Sequence, residues 1–185
     1  QLTMALPDKP RILVVDDEPM NIELLHAYLH MDYEVLSAHN GRDALDIAFR
    51  EIPDIVLLDV MMPEMSGFEV CKRVREKISF YQLPIILLTA KNTSEDMITG
   101  LSLGANDYIT KPFDRDQLLA RVRNYVSLKK AIEDTVRSSG GTLTIGNIPL
   151  TKQAEKVLKI TQIESKIYKS DVIGTEHIPV SYTHL

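Results

Sequence analysis

Two aspartates, Asp16 and Asp17, stand side by side after the apolar run RILVV, and a third, Asp59, closes the run IVLLD. A lysine, Lys111, follows the segment DYIT and precedes Pro112. In a parallel α/β sheet the C-terminal ends of the strands lie together at the crevice where ligands bind, so this order gathers three carboxylates and one ammonium. Carboxylates within ~5 Å of one another repel by ~3 kcal/mol per pair at an effective dielectric near 20, which raises their pKa values or recruits a cation. Ligands that are all oxygen select a hard ion, and Mg²⁺ is the natural choice where the other occupant is a phosphoryl group. The ion and Lys111 would neutralise phosphoryl oxygens from two sides, and phosphoryl transfer needs little beyond such positioning and charge stabilisation. Alone, Asp16 and Asp17 would read as a helix N-cap; joined to Asp59 and Lys111 they read as a site.

The elements that must place these residues follow from the spacing of apolar side chains. Arg11 to Val15 is a short β-branched run of the kind buried on both faces of a sheet. Pro19 suits the first turn of a helix reaching about His30. Tyr33 to Ala38 reads as a second strand, and Arg42 to Arg50 as a helix with Ala44, Leu45 and Ala48 on one face. Ile55 to Asp59 is strand three, Gly67 to Lys77 helix three, and Ile85 to Thr89 strand four. Ser94 to Leu103 is helix four, Asp107 to Thr110 strand five, and a fifth helix starts near Arg115. Five strands alternating with five helices predict a doubly wound parallel sheet of the flavodoxin-like (βα)5 type, order 2-1-3-4-5, with right-handed crossovers.

Composition narrows the function classes. Hydrophobic content of 44% and charged content of 25% over 185 residues suit an ordinary soluble globular domain with some tens of residues to spare. No apolar run approaches the ~20 residues that span a bilayer, and Gln1 opens neither a signal peptide nor a normal translation start, so the chain reads as a piece of something longer. The single cysteine, Cys71, has no internal partner and reads as a half-buried helix residue in a reducing cytoplasm. Net charge is −7 up to Ser127 and +2 from Leu128 onward, a balance that argues against broad contact with nucleic acid in either part. His26 and His30 lie at i and i+4, but without a third ligand they read as surface histidines. Met61, Met62 and Met65 cluster after Asp59, where packing is the expected role.

The joint pattern VVDDEP, LLDVMMPEMSGFE, LLTA and GANDYITKPF resembles the receiver domain of bacterial response regulators and hybrid histidine kinases, over Arg11 to about Val126. The resemblance implies that Asp59 accepts phosphate from a phosphohistidine on a histidine kinase or phosphotransfer protein. It implies that Asp17 is the direct acidic Mg²⁺ ligand, that Asp16 acts mainly through water, and that Asp59 and the backbone carbonyl of Met61 complete the protein's share of the coordination. Thr89 and Lys111 would bind the phosphoryl oxygens, with Lys111-Pro112 cis so that the ammonium turns inward. Thr89 and Tyr108 occupy the family's switch positions, through which a phosphorylated Asp59 would bias the surface of helix four, strand five and helix five. Residues two after the acceptor and two after the switch threonine, here Met61 and Lys91, would govern access of water and give a long-lived phosphate. Gly67 is expected to be structural. Of three charged pairs that form dimers in winged-helix regulators, Asp107 and Arg121 match one, while Met97 with Gln117 and Leu103 with Leu128 replace the others, so a monomer is expected.

The expected organisation is a leader at 1–10, a receiver at 11–127, a helix extension with a Gly-rich linker at 128–150, and an incomplete helical tail. Residues 151–178 are amphipathic and resemble a truncated part of the N-terminal domain of Clp-type AAA+ unfoldases, most specifically in IGTEHI. The last stretch, 179–185, reads as non-native translated adapter, which makes residues 128–185 candidates for an artificial join. Three other functions stay open beside the phosphoacceptor switch. The tail alone would fit an adaptor-docking module of a Clp-type protease system. A DNA-binding regulator would need an output domain beyond this fragment, since no helix-turn-helix is present. An aspartate-nucleophile enzyme of the haloacid dehalogenase type would need an acid two residues after Asp59, where Met61 stands.

Overall fold

The computed structural model describes residues 9–90, 94–138, 144–145 and 148–149. The chain divides into two compact units, Gln1–Ala131 and Ile132–Leu185. In the first, β1 (Arg11–Val15), β2 (Glu34–Ala38), β3 (Ile55–Asp59), β4 (Ile85–Thr89) and β5 (Asp107–Thr110) form one parallel sheet in the order β2-β1-β3-β4-β5. The helices α1 (Pro19–Leu29), α2 (Gly41–Glu51), α3 (Gly67–Arg75), α4 (Ser94–Ser102) and α5 (Arg115–Ser138) alternate with the strands. This is the flavodoxin-like architecture that the alternation of apolar runs predicts. In the second unit the described residues include a two-stranded antiparallel pair, β6 (Thr144–Ile145) and β7 (Ile148–Pro149). The Clp-like stretch at 151–178 and the residues 179–185 lie outside the described residues. No described helix is long and apolar enough to cross a membrane.

Successive strand residues face opposite sides of the sheet, and both sides are covered. Leu13, Val15, Val56, Leu58, Ile85 and Leu87 pack with Ala44, Leu45 and Ala48 of α2 and Val70, Cys71 and Val74 of α3. Ile12, Val14, Ile55, Leu57, Ile86 and Leu88 pack with Ile22, Leu25 and Leu29 of α1 and Leu118, Val122 and Tyr125 of α5. The central strands therefore have no wet face, which is why they read as unbroken Val/Ile/Leu runs rather than as alternating ones.

Caps set the helix ends that periodicity leaves loose by a residue or two. Asn40 Oδ1 accepts from Asp43 N at 2.8 Å, so α2 starts at Gly41, one residue before the sequence-based start. Ser66 Oγ accepts from Glu69 N at 3.3 Å and starts α3 at Gly67. Near the start of β4, the side chain of Asn106 accepts from Ile85 N at 3.0 Å and Arg75 at 2.8 Å, and donates to Phe80 O at 2.9 Å. It thereby joins the turns before β4 and β5. Arg75 Nε also donates to Gly104 O at 2.7 Å, where Gly104 takes φ +114°, a conformation that only glycine adopts easily.

Lys129, 6% exposed, donates to Asp54 Oδ1 at 3.1 Å and Pro53 O at 3.4 Å. Asp54 in turn accepts from Arg11 N at 2.8 Å. A lysine beyond Leu128 is thus paired with the loop leading into β3, and the first unit runs on to Ala131.

Candidate functional site

The acids, the threonine and the lysine of the predicted site stand at or just beyond the C-terminal ends of strands. Asp16 and Asp17 follow β1; Asp59 ends β3; Thr89 ends β4; Lys111 follows β5. The ladder continues into the site: Val60 N donates to Leu88 O at 3.0 Å, and Lys111 N to Thr89 O at 2.7 Å. The two residues expected to hold phosphoryl oxygens are therefore linked through the backbone, and Thr89 pairs in register with Thr110.

Carboxylate oxygens of Asp16, Asp17 and Asp59 all lie within 4.8 Å of one another. Lys111 Nζ donates to Asp16 Oδ2 at 2.8 Å and to Asp59 Oδ1 at 3.0 Å. Asp16 and Asp59 are buried, whereas Asp17 is exposed. Asp16 is also held by Glu18 N, which donates to Oδ1 at 2.9 Å, and by Asn21 Nδ2, which donates to Oδ2 at 3.0 Å. One ammonium among three carboxylates leaves negative charge in excess. The donor set is all oxygen and partly open to solvent, which fits a hard divalent cation and fits no soft metal.

Burial pushes the Asp59 carboxyl above the ordinary aspartate range, and the Asp16 charge adds to the rise. The opposing pull of Lys111 and of the Met61 backbone N–H does not cancel it. Burial draws the Lys111 ammonium down, but its hydrogen bonds to Asp16 and Asp59 outweigh this, so Lys111 is raised and stays charged. The two shifts agree: the cation is well served, whereas the acid shares one cation with a neighbouring acid.

A folded-state carboxyl raised above its unfolded value binds its proton more tightly in the fold. Its contribution to stability is present at low pH and is lost as pH rises through the raised pKa. With no divalent cation added, Asp59→Asn is therefore expected to be more stable than the parent at pH 7, by about 1 kcal/mol, because it removes one of the like charges around Lys111. Urea unfolding at pH 7 and at progressively lower pH should show the difference shrinking as Asp59 takes up its proton.

Gly67 lies close behind Asp59. Its N–H donates to Val60 O at 3.0 Å, and a Cβ there would run into the backbone carbonyl oxygen of Asp59 and stand 2.9 Å from Val60 Cα. The Lys111-Pro112 peptide is cis. Met61, two residues after Asp59, is 56% exposed, while Met62 is buried and Met65 packs on the α2–α3 side of the core. Tyr108 is half-buried against that same core. Lys91 lies outside the described residues. His26 and His30, both exposed, stack with ring centroids 5.4 Å apart, and neither belongs to the grouping of ligands found among the described residues.

Beyond the acids, Asp107 and Arg121 pair within the chain at 2.8 Å, with Asp107 buried. Tyr125 donates its hydroxyl to Asn106 O at 2.9 Å. Burial and the nearby Asp107 charge push that hydroxyl up, so it remains a donor. Asn21 escapes a reading that looks for acids and bases, because a neutral amide carries no charge signal. Its signal is positional: a polar side chain in the first turn of the helix that follows the acidic pair.

A model of the response regulator receiver domain family matches residues 12–123. Among solved structures, a protein described as a response regulator from Chloroflexus aurantiacus J-10-fl is 37% identical, with a TM-score of 0.61, over 65% of this chain and 99% of that one. The chemotaxis protein CheY4 of Vibrio cholerae is 33% identical, with a TM-score of 0.59, over 63% and 98%. The DrrB receiver domain, solved in its BeF3-activated form, is 34% identical, with a TM-score of 0.60, over 64% and 98%.

Proposed function

This chain belongs to the response regulator receiver domain family, and from that membership we propose that it is a phosphorylation-controlled switch of a two-component phosphorelay, with Asp59 as acceptor. The observation that carries the reading is Lys111 Nζ bridging Asp16 and Asp59 where three carboxylates converge. The donor is a phosphohistidine on a histidine kinase or histidine phosphotransfer protein. A carboxylate oxygen of Asp59 attacks phosphorus, the P–N bond breaks, and its electron pair returns to the imidazole nitrogen, which takes up a proton. Lys111 and the Thr89 hydroxyl hold the transferred oxygens. Asp17, Asp59 and the Met61 carbonyl would hold Mg²⁺, with Asp16 acting through water; when bound, the ion supplies positive charge against the phosphoryl oxygens.

The product is a modified surface. A phosphoryl group adds up to ~2 negative charges at Asp59. Thr89 moves toward it and Tyr108 fills the space left, which biases α4, β5 and α5. On this reading the chain is a switch and not an enzyme in the ordinary sense, and it acts in the cytoplasm without contacting nucleic acid. It works as a monomer: the one charged pair that matches a dimerising set, Asp107 with Arg121, is satisfied within the chain, with Asp107 buried. Met61 offers no strong group to orient an attacking water, and with Lys91 it favours a long-lived phosphate.

The test is direct. With Mg²⁺ and phosphoramidate, intact mass should show one added phosphoryl group per chain, and a chelator should prevent it. No gain of mass at saturating donor and Mg²⁺ would reject the reading.

A further inference from the structure

Asp16 is 1% exposed, and three donors divide its carboxylate. Glu18 N serves Oδ1, while Asn21 Nδ2 at 3.0 Å and Lys111 Nζ at 2.8 Å share Oδ2. A carboxylate only accepts, so the amide of Asn21 must turn its NH₂ toward Asp16. Asn21 sits in the first turn of α1, after Pro19, and its backbone N–H donates to Glu18 O at 3.1 Å. The amide is thus placed from a rigid element and not from a loop.

Lys111 has three N–H donors and spends two of them on Asp16 and Asp59, so a phosphoryl group that takes two of the three leaves one for the acids. Its bond to Asp16 is the one to release, since the phosphoryl group arrives on Asp59. A buried carboxylate that loses a donor costs free energy unless another holds the same oxygen. We propose that Asn21 is a positioning residue that keeps Asp16 Oδ2 satisfied while Lys111 passes to the phosphoryl group. The inference rests on the reading of Asp59 as phosphoryl acceptor and extends it to the step in which the lysine changes partners.

The experiment compares the intact chain with Asn21→Leu, which keeps the approximate volume and removes the donor, and with Asn21→Gln, which keeps an amide. Two dissociation constants are measured: Mg²⁺ alone, by amide chemical shifts, and beryllofluoride at saturating Mg²⁺, by fluorine NMR. Thermal unfolding checks that each variant folds, and Asn21→Ala replaces Asn21→Leu should the latter fail to fold. Removal of a hydrogen bond to a charged group predicts beryllofluoride binding weaker by about tenfold in Asn21→Leu, with Asn21→Gln recovering part of it. Mg²⁺ binding alone, which brings no phosphoryl group to draw Lys111 from Asp16, should change by less than about threefold. In a double-mutant cycle with Lys111→Met, the effect of Asn21→Leu should largely vanish, because no lysine is left to hand over.

Beryllofluoride affinity within about twofold of the parent would overturn the proposal. So would equal weakening of both constants, which would make Asn21 a general support of the acidic pocket. Failure of the unsubstituted chain to bind beryllofluoride would instead remove the receiver reading, and this inference with it.

Discussion

Asp59→Asn should gain no phosphoryl group from phosphoramidate and Mg²⁺ under conditions where the parent chain gains one. Three carboxylates share the pocket, and their surroundings differ. Asp16 is enclosed, with donors on both oxygens from Glu18, Asn21 and Lys111. Asp17 is exposed and free to face a cation. Asp59 ends β3, the central strand of the sheet, with Lys111 Nζ 3.0 Å away to receive the incoming oxygens. An amide keeps the shape of Asp59 but lacks the anionic oxygen that attacks phosphorus. The loss should therefore be complete within detection, not a matter of degree. Asp17→Asn retains the nucleophile and should instead demand more Mg²⁺ and react about ten- to a hundredfold more slowly at a fixed subsaturating level, as for loss of ~1.4 to 2.8 kcal/mol of charge stabilisation. Base-labile phosphate persisting in Asp59→Asn would place the acceptor elsewhere.

The position of Asp59 follows from the same apolar runs that make the strands legible. RILVV after Arg11, and IVLLD and IILLT until their last residues, contain no polar residue because β1, β3 and β4 are covered on both faces. The first polar side chain at the end of each apolar run therefore marks the rim of the sheet. Order along the chain, together with the rule that such crossovers are right-handed, then brings those rims together. What periodicity misses is set by single contacts. Asn40 and Ser66 fix where α2 and α3 begin. Asn21 and Lys129 find partners across the fold, at Asp16 and Asp54, which no local pattern encodes. Lys129, just beyond Leu128, fastens α5 to the loop before β3.

Gly67→Ala should destabilise the fold although helix propensity alone favours the change. Replacing glycine by alanine inside a helix ordinarily gains ~0.5 to 1 kcal/mol, and Gly67 is the first residue of α3. The neighbours decide the sign. An added Cβ would collide with the carbonyl oxygen of Asp59 and lie 2.9 Å from Val60 Cα, and both are backbone atoms in or just after β3, held by the pairing with β4. Relief requires shifting either α3, anchored by Ser66 and by Val70, Cys71 and Val74 in the core, or the strand end that carries the acceptor. Overpacking of this kind costs ~1 to 3 kcal/mol or more. We expect Gly67→Ala to lose about 2 to 3 kcal/mol by urea unfolding and to accept phosphate more slowly, since the peptide that shifts belongs to Asp59. Gly100→Ala is the internal comparison. There a Cβ would meet Leu87 Cδ1 at 2.5 Å and Phe68 Cε1 at 3.1 Å, the ends of side chains that can turn aside. Gly100→Ala should therefore cost less, and its labelling should be unchanged. Equal losses for the two variants would show that α3 has more freedom at the acceptor than its contacts imply, and would remove the case for Gly67 as the residue that lets helix and acceptor strand meet.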